Sequence, residues 1–521
     1  MRLTKEMITR LENYKAEDYI YDLGALGLEE TWFRICGFVE KNKKSVPEFL
    51  DVKNFGELYE EALAFQDKNR KKNRGQYYTP DDVSQVMSRW LDACEGDAVC
   101  DVGCGTGNLI LNYLEYIGSK RAVNLINSGK LYLYDADPIA LEICKTAITV
   151  KFGAGLKKKI NCICGDFLDA SLRLPKNCKV IANPPYAEIK EIQSCWEQTD
   201  VLAQSKDFYA VFMEKVVKQA KSVVIITPFT FVSGNKYGYL RKEMCQNGNG
   251  FVVSFDNVPG NIFCGRKHGV FNSNTSNSVR AAITVFHKSA KKHGFQISPL
   301  LRFKTEEREK LLQCEVLENK LPATFQVVDE TKPFQKVDRA LEGLFEAWMQ
   351  SSTHTVANLV SKEETPYFID MPNTCRYFTT AGKRKLKRKG SISFYAKDEK
   401  SYYFLYCMIN SGFAYWWWRI FDGAITFSHD LFFRMPLPYD LLKTGDRNFF
   451  KKTAQQMMQE EDNYIITKMN AGTVQENIKF PEKYRESING RILEILGQPG
   501  DLGEDLLKIH SNSFFEEDTD D

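Results

Sequence analysis

Between Ala98 and about Lys288 short apolar runs alternate with helical stretches, and that rhythm confines the chain to one class of fold. Runs at 98–102, 130–135, 160–164, 178–182, 222–227, 251–256 and 280–286 read as strands; helices fit 106–118, 138–150 and 206–220. Strands that helical crossovers cover on both faces are continuously apolar and do not alternate with polar residues. The expectation is an α/β fold built on a doubly wound, mostly parallel seven-stranded sheet. In such sheets ligands bind outside the carboxyl ends of the strands, where the strand order reverses. The residues that end each strand are therefore the ones to read.

The first strand runs into Asp101-Val102-Gly103-Cys104-Gly105-Thr106-Gly107-Asn108. Glycines at this spacing let the chain turn tightly and let a ligand press against the backbone. No Lys-Ser or Lys-Thr follows them, which argues against a nucleotide triphosphate loop. The second strand ends at Tyr134-Asp135-Ala136-Asp137-Pro138, roughly 30 residues past the glycines, where a carboxylate can accept both hydroxyls of a ribose. Asp135, with Ala136 beside it, is the candidate; Asp137 precedes Pro138 and reads as a helix cap. The third strand ends at Gly165-Asp166-Phe167, an acceptor and a ring suited to an adenine. Each carboxylate alone could be a turn or cap residue. Three such ends in succession point to a nucleoside cofactor.

The fourth strand, Val180-Ile181-Ala182, leads into Asn183-Pro184-Pro185-Tyr186. An exocyclic amine on a nucleobase is a poor nucleophile because its lone pair is delocalised into the ring. The Asn183 side-chain oxygen and the Pro184 carbonyl can each accept one amine hydrogen and draw the nitrogen toward a tetrahedral form. Pro184 and Pro185 stiffen the backbone, so those acceptors stay fixed. Tyr186 offers a flat face for stacking. Read alone, the tetrapeptide is also a Pro-rich turn.

The rest of the chain sets the surroundings. Among 521 residues, 43% are hydrophobic and 26% charged, and the net charge is +2, so a nucleic-acid surface must be a local basic patch. The 14 cysteines form no Cys-x-x-Cys pair. Cys100, Cys104, Cys162, Cys164 and Cys178 fall on strands or their ends as small hydrophobes, which suggests a reducing cytoplasm with neither disulfide nor metal. The opening Met1-Arg2-Leu3-Thr4-Lys5-Glu6 lacks a signal-peptide core, and no apolar run approaches bilayer length. Residues 1–66 read as an N-terminal helical segment, 67–290 as the catalytic domain, 291–510 as a mixed α/β second domain and 511–521 as an acidic disordered tail. A helical stretch is expected near 448–470. Lys383, Arg384, Lys385, Lys387, Arg388 and Lys389 form a basic run, and Tyr415-Trp416-Trp417-Trp418 reads as core.

As an ordered set over about residues 70–290, these motifs resemble the S-adenosylmethionine-dependent DNA adenine-N6 methyltransferases with γ motif order. In that class a cofactor-binding segment precedes the glycine loop and the recognition domain comes last. Gly75-Gln76-Tyr77-Tyr78-Thr79-Pro80 is similar to the leading segment. Lys206-Asp207-Phe208-Tyr209 and Ile225-Ile226-Thr227-Pro228 match the middle motifs, and Asn261-Ile262-Phe263 matches the segment that carries a second aromatic. The resemblance implies a Rossmann-like methyltransferase fold and S-adenosylmethionine as cofactor. It places Thr79 near the methionine carboxylate and Asp101, Gly103 and Gly105 around the methionyl part. It places Asp135 and Ala136 at the ribose, and Asp166 and Phe167 at the adenine. Asn183 and Pro184 take the target amine, and Tyr186 and Phe263 flank a flipped base.

Ile409-Asn410-Ser411 and Met435-Pro436-Leu437-Pro438 are similar to the recognition region, and there the basic run suits phosphate contacts. The implied partner is double-stranded DNA, with a monomer and a cognate restriction endonuclease as further expectations. Cytosine-N4, RNA or protein-glutamine methylation remains open. So does a modification subunit of a larger restriction system, or a fused nuclease.

Overall fold

The computed structural model describes residues 79–511, apart from 264–278, 292–293, 330–331, 375–377, 424–425 and 471. The expected N-terminal helices, the Gly75–Tyr78 part of the leading segment, and residues 512–521 of the acidic tail lie outside the described residues.

Eight strands form one sheet, in the order β3-β2-β1-β4-β5-β7-β6-β8. They are β1 (Ala98–Val102), β2 (Leu131–Asp135), β3 (Asn161–Cys164), β4 (Cys178–Ala182), β5 (Ser222–Pro228), β6 (Gly248–Phe255), β7 (Ala281–Lys288) and β8 (Gly294–Leu301). The first five pair in parallel, and β7 runs antiparallel between β5 and β6. The doubly wound, mostly parallel expectation holds for seven of the strands. The eighth, β8, is an addition, and its reason is legible in hindsight. Gly294-Phe-Gln-Ile-Ser-Pro299 interrupts its apolar residues with polar ones and carries a proline, which a sheet tolerates at its edge.

Chain order runs outward from β1 through β2 to β3, then returns across β1 to β4 and β5. The reversal lies between β1 and β4. Both strands are wholly buried, as continuous apolar runs require. Helices Asp81–Ala93 and Asn108–Tyr116 cover them with Val83, Met87, Leu91, Ile110 and Leu114. The helix expected over 106–118 begins at Asn108 because Gly107 before it takes φ +95°, a left-handed value. A side chain at Gly107 would also meet the Cys144 sulfur at 2.5 Å, so this glycine serves close helix packing. Cys100, Cys104 and Cys178 are buried as read; Cys164, at the open end of β3, is exposed instead.

The chain divides into two compact units. The first runs to Ile297 and includes Leu301–Pro333; the second comprises Ser298–Leu300 and Phe334–Asn512. In this division the first unit continues to Pro333. Leu301, Phe303, Leu311, Leu317 and Leu321 belong to the sheet's own hydrophobic core, which holds this stretch to the first unit. The second unit has a three-stranded antiparallel sheet of Val360–Ser361, Ser391–Ala396 and Phe368–Pro372, packed with helices. Tyr415, Trp416, Trp417 and Trp418 are buried in its core as expected, and Trp416 stacks on Trp348 with centroids 5.6 Å apart. The helix near 448–470 is Thr444–Glu460 only. Beyond it Ile465–Asn470 and Thr473–Ile478 form a hairpin, because Ile465-Ile466-Thr467 is β-branched and Gly472 turns at φ +75°.

Removing a buried indole leaves a cavity that a packed core only partly closes. Trp416→Ala is expected to cost the second unit about 3–5 kcal/mol. Urea titration followed by tryptophan fluorescence should show a correspondingly lower midpoint for the transition of that unit, and an unchanged midpoint would place Trp416 outside the core.

Candidate active site

β1 and β4 pair in register, with Asp101 opposite Ile181 and Val102 opposite Ala182. The glycine turn and the Asn183 turn therefore leave neighbouring strands at the same level, at the reversal of strand order. The glycine turn is pinned by the Gly103 and Cys104 N–H groups, which donate to the Tyr134 carbonyl at 2.8 and 3.0 Å. Gly103 and Gly105 take φ +71° and +53°. Nothing lies within 4 Å of where a Gly105 Cβ would project, so this side of the turn is open. Asp135 closes the edge: one carboxylate oxygen accepts from the Gly105 N–H at 2.7 Å and the other from the Asp137 N–H at 2.8 Å. Ala136 beside it is exposed.

Asp101 is the electrostatic anomaly of the site. It is fully buried and its oxygens form no well-aligned hydrogen bond among the described residues; the Ile110 N–H alone lies near enough to favour the charged form. Burial, reinforced by the Asp135 carboxylate, pushes its acid up to about 8 from an ordinary 3.8. A buried carboxyl left without a well-aligned partner costs free energy that a cation or donor brought to it would recover.

Thr79 is buried at the start of helix Asp81–Ala93. Its hydroxyl accepts from the Asn183 amide nitrogen at 2.9 Å, which directs the amide oxygen away from Thr79. Its carbonyl accepts from the Asn108 side chain at 2.5 Å, which ties the segment to the helix behind the glycine turn. Pro184 is buried, Pro185 is half-buried, and the Tyr186 hydroxyl donates to the Ile226 carbonyl on β5 at 3.1 Å. The Tyr186 ring meets Phe263 edge-on, with centroids 5.7 Å apart and planes at 66°. Thr79, Asn183, Tyr186 and Phe263, separated by as many as 184 positions in the chain, are thus linked by direct contacts.

A family model described as N-6 DNA Methylase matches residues 51–335, more than half of the chain. The chain belongs to the N-6 DNA methylase family. A type I restriction enzyme methylase subunit of Mycoplasma pneumoniae is 30% identical over 69 residues, 13% of either chain. A release factor glutamine methyltransferase of Moorella thermoacetica is 33% identical over 104 residues, 20% of this chain and 32% of that one. The chain therefore spans less than a third of the length of each of these curated relatives. Among solved structures, the ATP-dependent Type ISP restriction-modification enzyme LlaBIII bound to DNA aligns with 98% of this chain and 53% of its own, at 10% identity and a TM-score of 0.45.

Two of the expected sites need a revised account of their surroundings. The Phe167 ring is not an open face. It is buried between Tyr134 and Phe212, with the Lys215 ammonium 4.8 Å from its centroid. Its neighbour Asp166 is half-buried; one oxygen accepts from the Trp196 indole at 2.7 Å and the other from the Leu168 N–H at 3.0 Å. The second revision concerns the basic run of the second unit. Arg388 is buried and paired with Asp370 at 2.9 Å, so it is not a surface phosphate contact. Lys383 donates to the Met458 carbonyl, and Arg384 pairs with Asp462. Lys385, Lys387 and Lys389 are exposed while Leu386 and the Arg388 guanidinium point inward. An extended segment alternates this way, and consecutive charges hid it.

Three residues of this region went unread in the sequence. Phe212 packs on Phe167 and lies 3.9 Å from the Cβ that Gly103 lacks, so it floors the glycine turn. Trp196 orients Asp166. Lys215 donates to the Phe167 and Asp169 carbonyls, each at 2.6 Å, and burial pushes its ammonium down to about 8. A lone tryptophan in a polar loop and a lysine on an apolar helix face were the available signals; Phe212 had none beyond ordinary helical periodicity. Among the described residues no group of three or more His, Cys, Asp or Glu could hold a metal ion. No helix there is long and apolar enough to cross a membrane.

The raised Asp101 acid has a definite consequence for stability. Between about pH 4 and pH 8 the folded chain holds a proton that the unfolded chain has released, so stability falls as pH rises through that window. Asp101→Asn removes the ionisable group, and without cofactor its melting temperature should exceed that of the wild type at pH 8. Calorimetry of both proteins from pH 5 to pH 8 checks this; parallel pH slopes would mean that Asp101 does not titrate.

Proposed function

We propose that this chain transfers a methyl group from S-adenosylmethionine to the exocyclic N6 of an adenine flipped out of double-stranded DNA. The observation that carries the reading is the hydrogen bond from the Asn183 amide to Thr79, made beside the glycine turn where β1 and β4 part. It joins an amine-gripping turn to a segment of the kind that holds the cofactor. Family membership supports the substrate class, and the Tyr186–Phe263 pair supports a flat substrate.

The residues present fit the cofactor. The poorly partnered Asp101 carboxyl suits the methionyl ammonium, the open face at Gly105 admits a ligand against the backbone, and Asp135 keeps lone pairs for a ribose. Asp166, at the end of β3, is the acceptor for the adenine end. When bound, S-adenosylmethionine supplies an electrophilic methyl on a sulfonium sulfur. Asn183 and Pro184 accept the two hydrogens of the adenine amine and aim its lone pair, and Thr79 holds the Asn183 amide by its nitrogen, which leaves the oxygen to accept. Tyr186 and Phe263 replace the stacking that the base loses, which is worth a few kcal/mol. Orientation and fixed acceptors supply the acceleration, with no covalent enzyme intermediate.

Affinity for duplex DNA comes in this reading from surface cations such as Lys385, Lys387 and Lys389, and sequence choice from the second unit. The enzyme acts as a monomer and modifies the sites of a cognate restriction endonuclease. The glutamine methyltransferase relative supports a protein-amide substrate instead. That substrate gives no use for the aromatic pair of Tyr186 and Phe263.

Digestion of DNA incubated with the enzyme and S-adenosylmethionine should release N6-methyldeoxyadenosine; N4-methyldeoxycytidine, or unmodified DNA beside a methylated protein glutamine, would replace the reading. Asn183→Ala should abolish transfer while cofactor affinity stays within a few-fold, measured by calorimetry and by tritium incorporation. Because the ammonium needs Asp101 ionised, cofactor affinity should rise with pH up to about 8 and binding at pH 7 should release protons. A pH-independent affinity would remove Asp101 from the ammonium site.

A further inference from the structure

Arg308 follows β8, outside every motif that the sequence offered, yet its guanidinium joins the two sides of the site. It holds both carboxylate oxygens of Asp82, with Nε at 2.5 Å and Nη2 at 2.9 Å. The same group donates to two main-chain carbonyls, to Asn261 from Nη1 at 2.9 Å and to Ile262 from Nη2 at 2.8 Å. Asp82 lies in the first turn of helix Asp81–Ala93, directly after Thr79-Pro80. Asn261 and Ile262 directly precede Phe263, and the Asn261 side chain accepts the Phe263 N–H at 2.8 Å. The Arg308 side chain is 15% exposed and that of Asp82 41%, so the guanidinium is largely buried while the carboxylate it holds borders water. A planar guanidinium can satisfy such a set of acceptors at fixed angles; a lysine ammonium cannot.

The geometry of the rings shows why this anchor matters. A base held between two parallel rings needs them about 7 Å apart, twice a van der Waals contact of about 3.5 Å. Tyr186 and Phe263 stand at 5.7 Å and 66°, so one ring must turn for a base to enter. The Tyr186 hydroxyl is tied to the Ile226 carbonyl. On the other side Arg308 holds the backbone before Phe263 by two carbonyls.

We propose that Arg308 is a positioning residue for the target base: it fixes the main chain before Phe263 to the helix that follows Thr79, so that Phe263 is held where it flanks the flipped adenine. The proposal rests on the adenine-methylation reading. Arg308 touches neither base nor cofactor, and it acts through Phe263. Displacing a stacking ring by about 1 Å can cost a reaction as much as a hundredfold.

The test uses the full-length chain and duplex DNA carrying its methylation site, which mapping of the modified adenines supplies. Wild-type enzyme and Asn183→Ala come first; if the wild type forms no N6-methyladenine, the underlying reading fails and Arg308 is not at issue. If it does, Arg308→Lys is expected to lower kcat at least tenfold, with S-adenosylmethionine affinity within twofold of wild type. With 2-aminopurine in place of the target adenine, the fluorescence rise that reports base extrusion should shrink by a similar factor. Asp82→Asn, which leaves the two carbonyl bonds intact, should lower kcat less, and the double variant should be no worse than Arg308→Lys alone. Wild-type kcat and fluorescence in Arg308→Lys would overturn the proposal. So would equal losses of cofactor affinity, melting temperature and kcat in both single variants, which would reduce Arg308 to a general structural brace.

Discussion

The parallel, in-register pairing of β1 with β4 is the constraint on which the rest of the first unit depends. It brings two turns from opposite halves of the winding to one level at the point where strand order reverses. One turn is made of glycines and can approach a ligand; the other carries two prolines and holds its acceptors still. Slipping the pairing by one residue would move every side chain of a strand to the other face and separate the turns. Both strands are sealed by core residues on each side, and that burial is what prevents the slip.

Around that pairing the site is organised by polar groups that satisfy one another in pairs. Asp135 takes the Gly105 N–H, Asp166 takes the Trp196 indole, and Thr79 takes the Asn183 amide. Asp101 stands apart, buried and without a well-aligned partner. Carrying such a group lowers the stability of the folded chain at neutral and higher pH, which is the usual sign of a residue kept for binding and not for the fold. The Asn183 bond has a further effect. An amide is nearly symmetric in shape, and only the donor and acceptor on either side decide which end faces the substrate.

The two units illustrate different uses of aromatic residues. In the second unit Trp348, Trp416, Trp417 and Trp418 interlock as core, and density of this kind supplies stability without chemistry. In the first unit Tyr186 and Phe263 meet edge-on at the mouth of the strand reversal, each held by a polar bond to its own hydroxyl or backbone. The Tyr186 ring is only half-buried, whereas Trp348 is wholly enclosed by Phe413, Trp416 and Trp417. Phe167, expected at the adenine, is enclosed by Tyr134, Phe212 and Lys215.

What the sequence determined by itself was everything carried by short-range pattern: the strands, the glycine turn, the Asn183-Pro184-Pro185-Tyr186 turn and the family they imply. These were readable because local spacing and residue chemistry dictate them. The tertiary structure alone decided which distant groups share a bond. Nothing in the pattern distinguishes Arg308 from any surface arginine, or Arg388 from the lysines beside it, because a charge run looks the same whether its members face water or a buried aspartate. The edge strand β8, the floor formed by Phe212 and the clamp between Asp82 and Ile262 each depend on residues far apart in the chain. Their roles were fixed only when folding brought together partners that no local rule could pair.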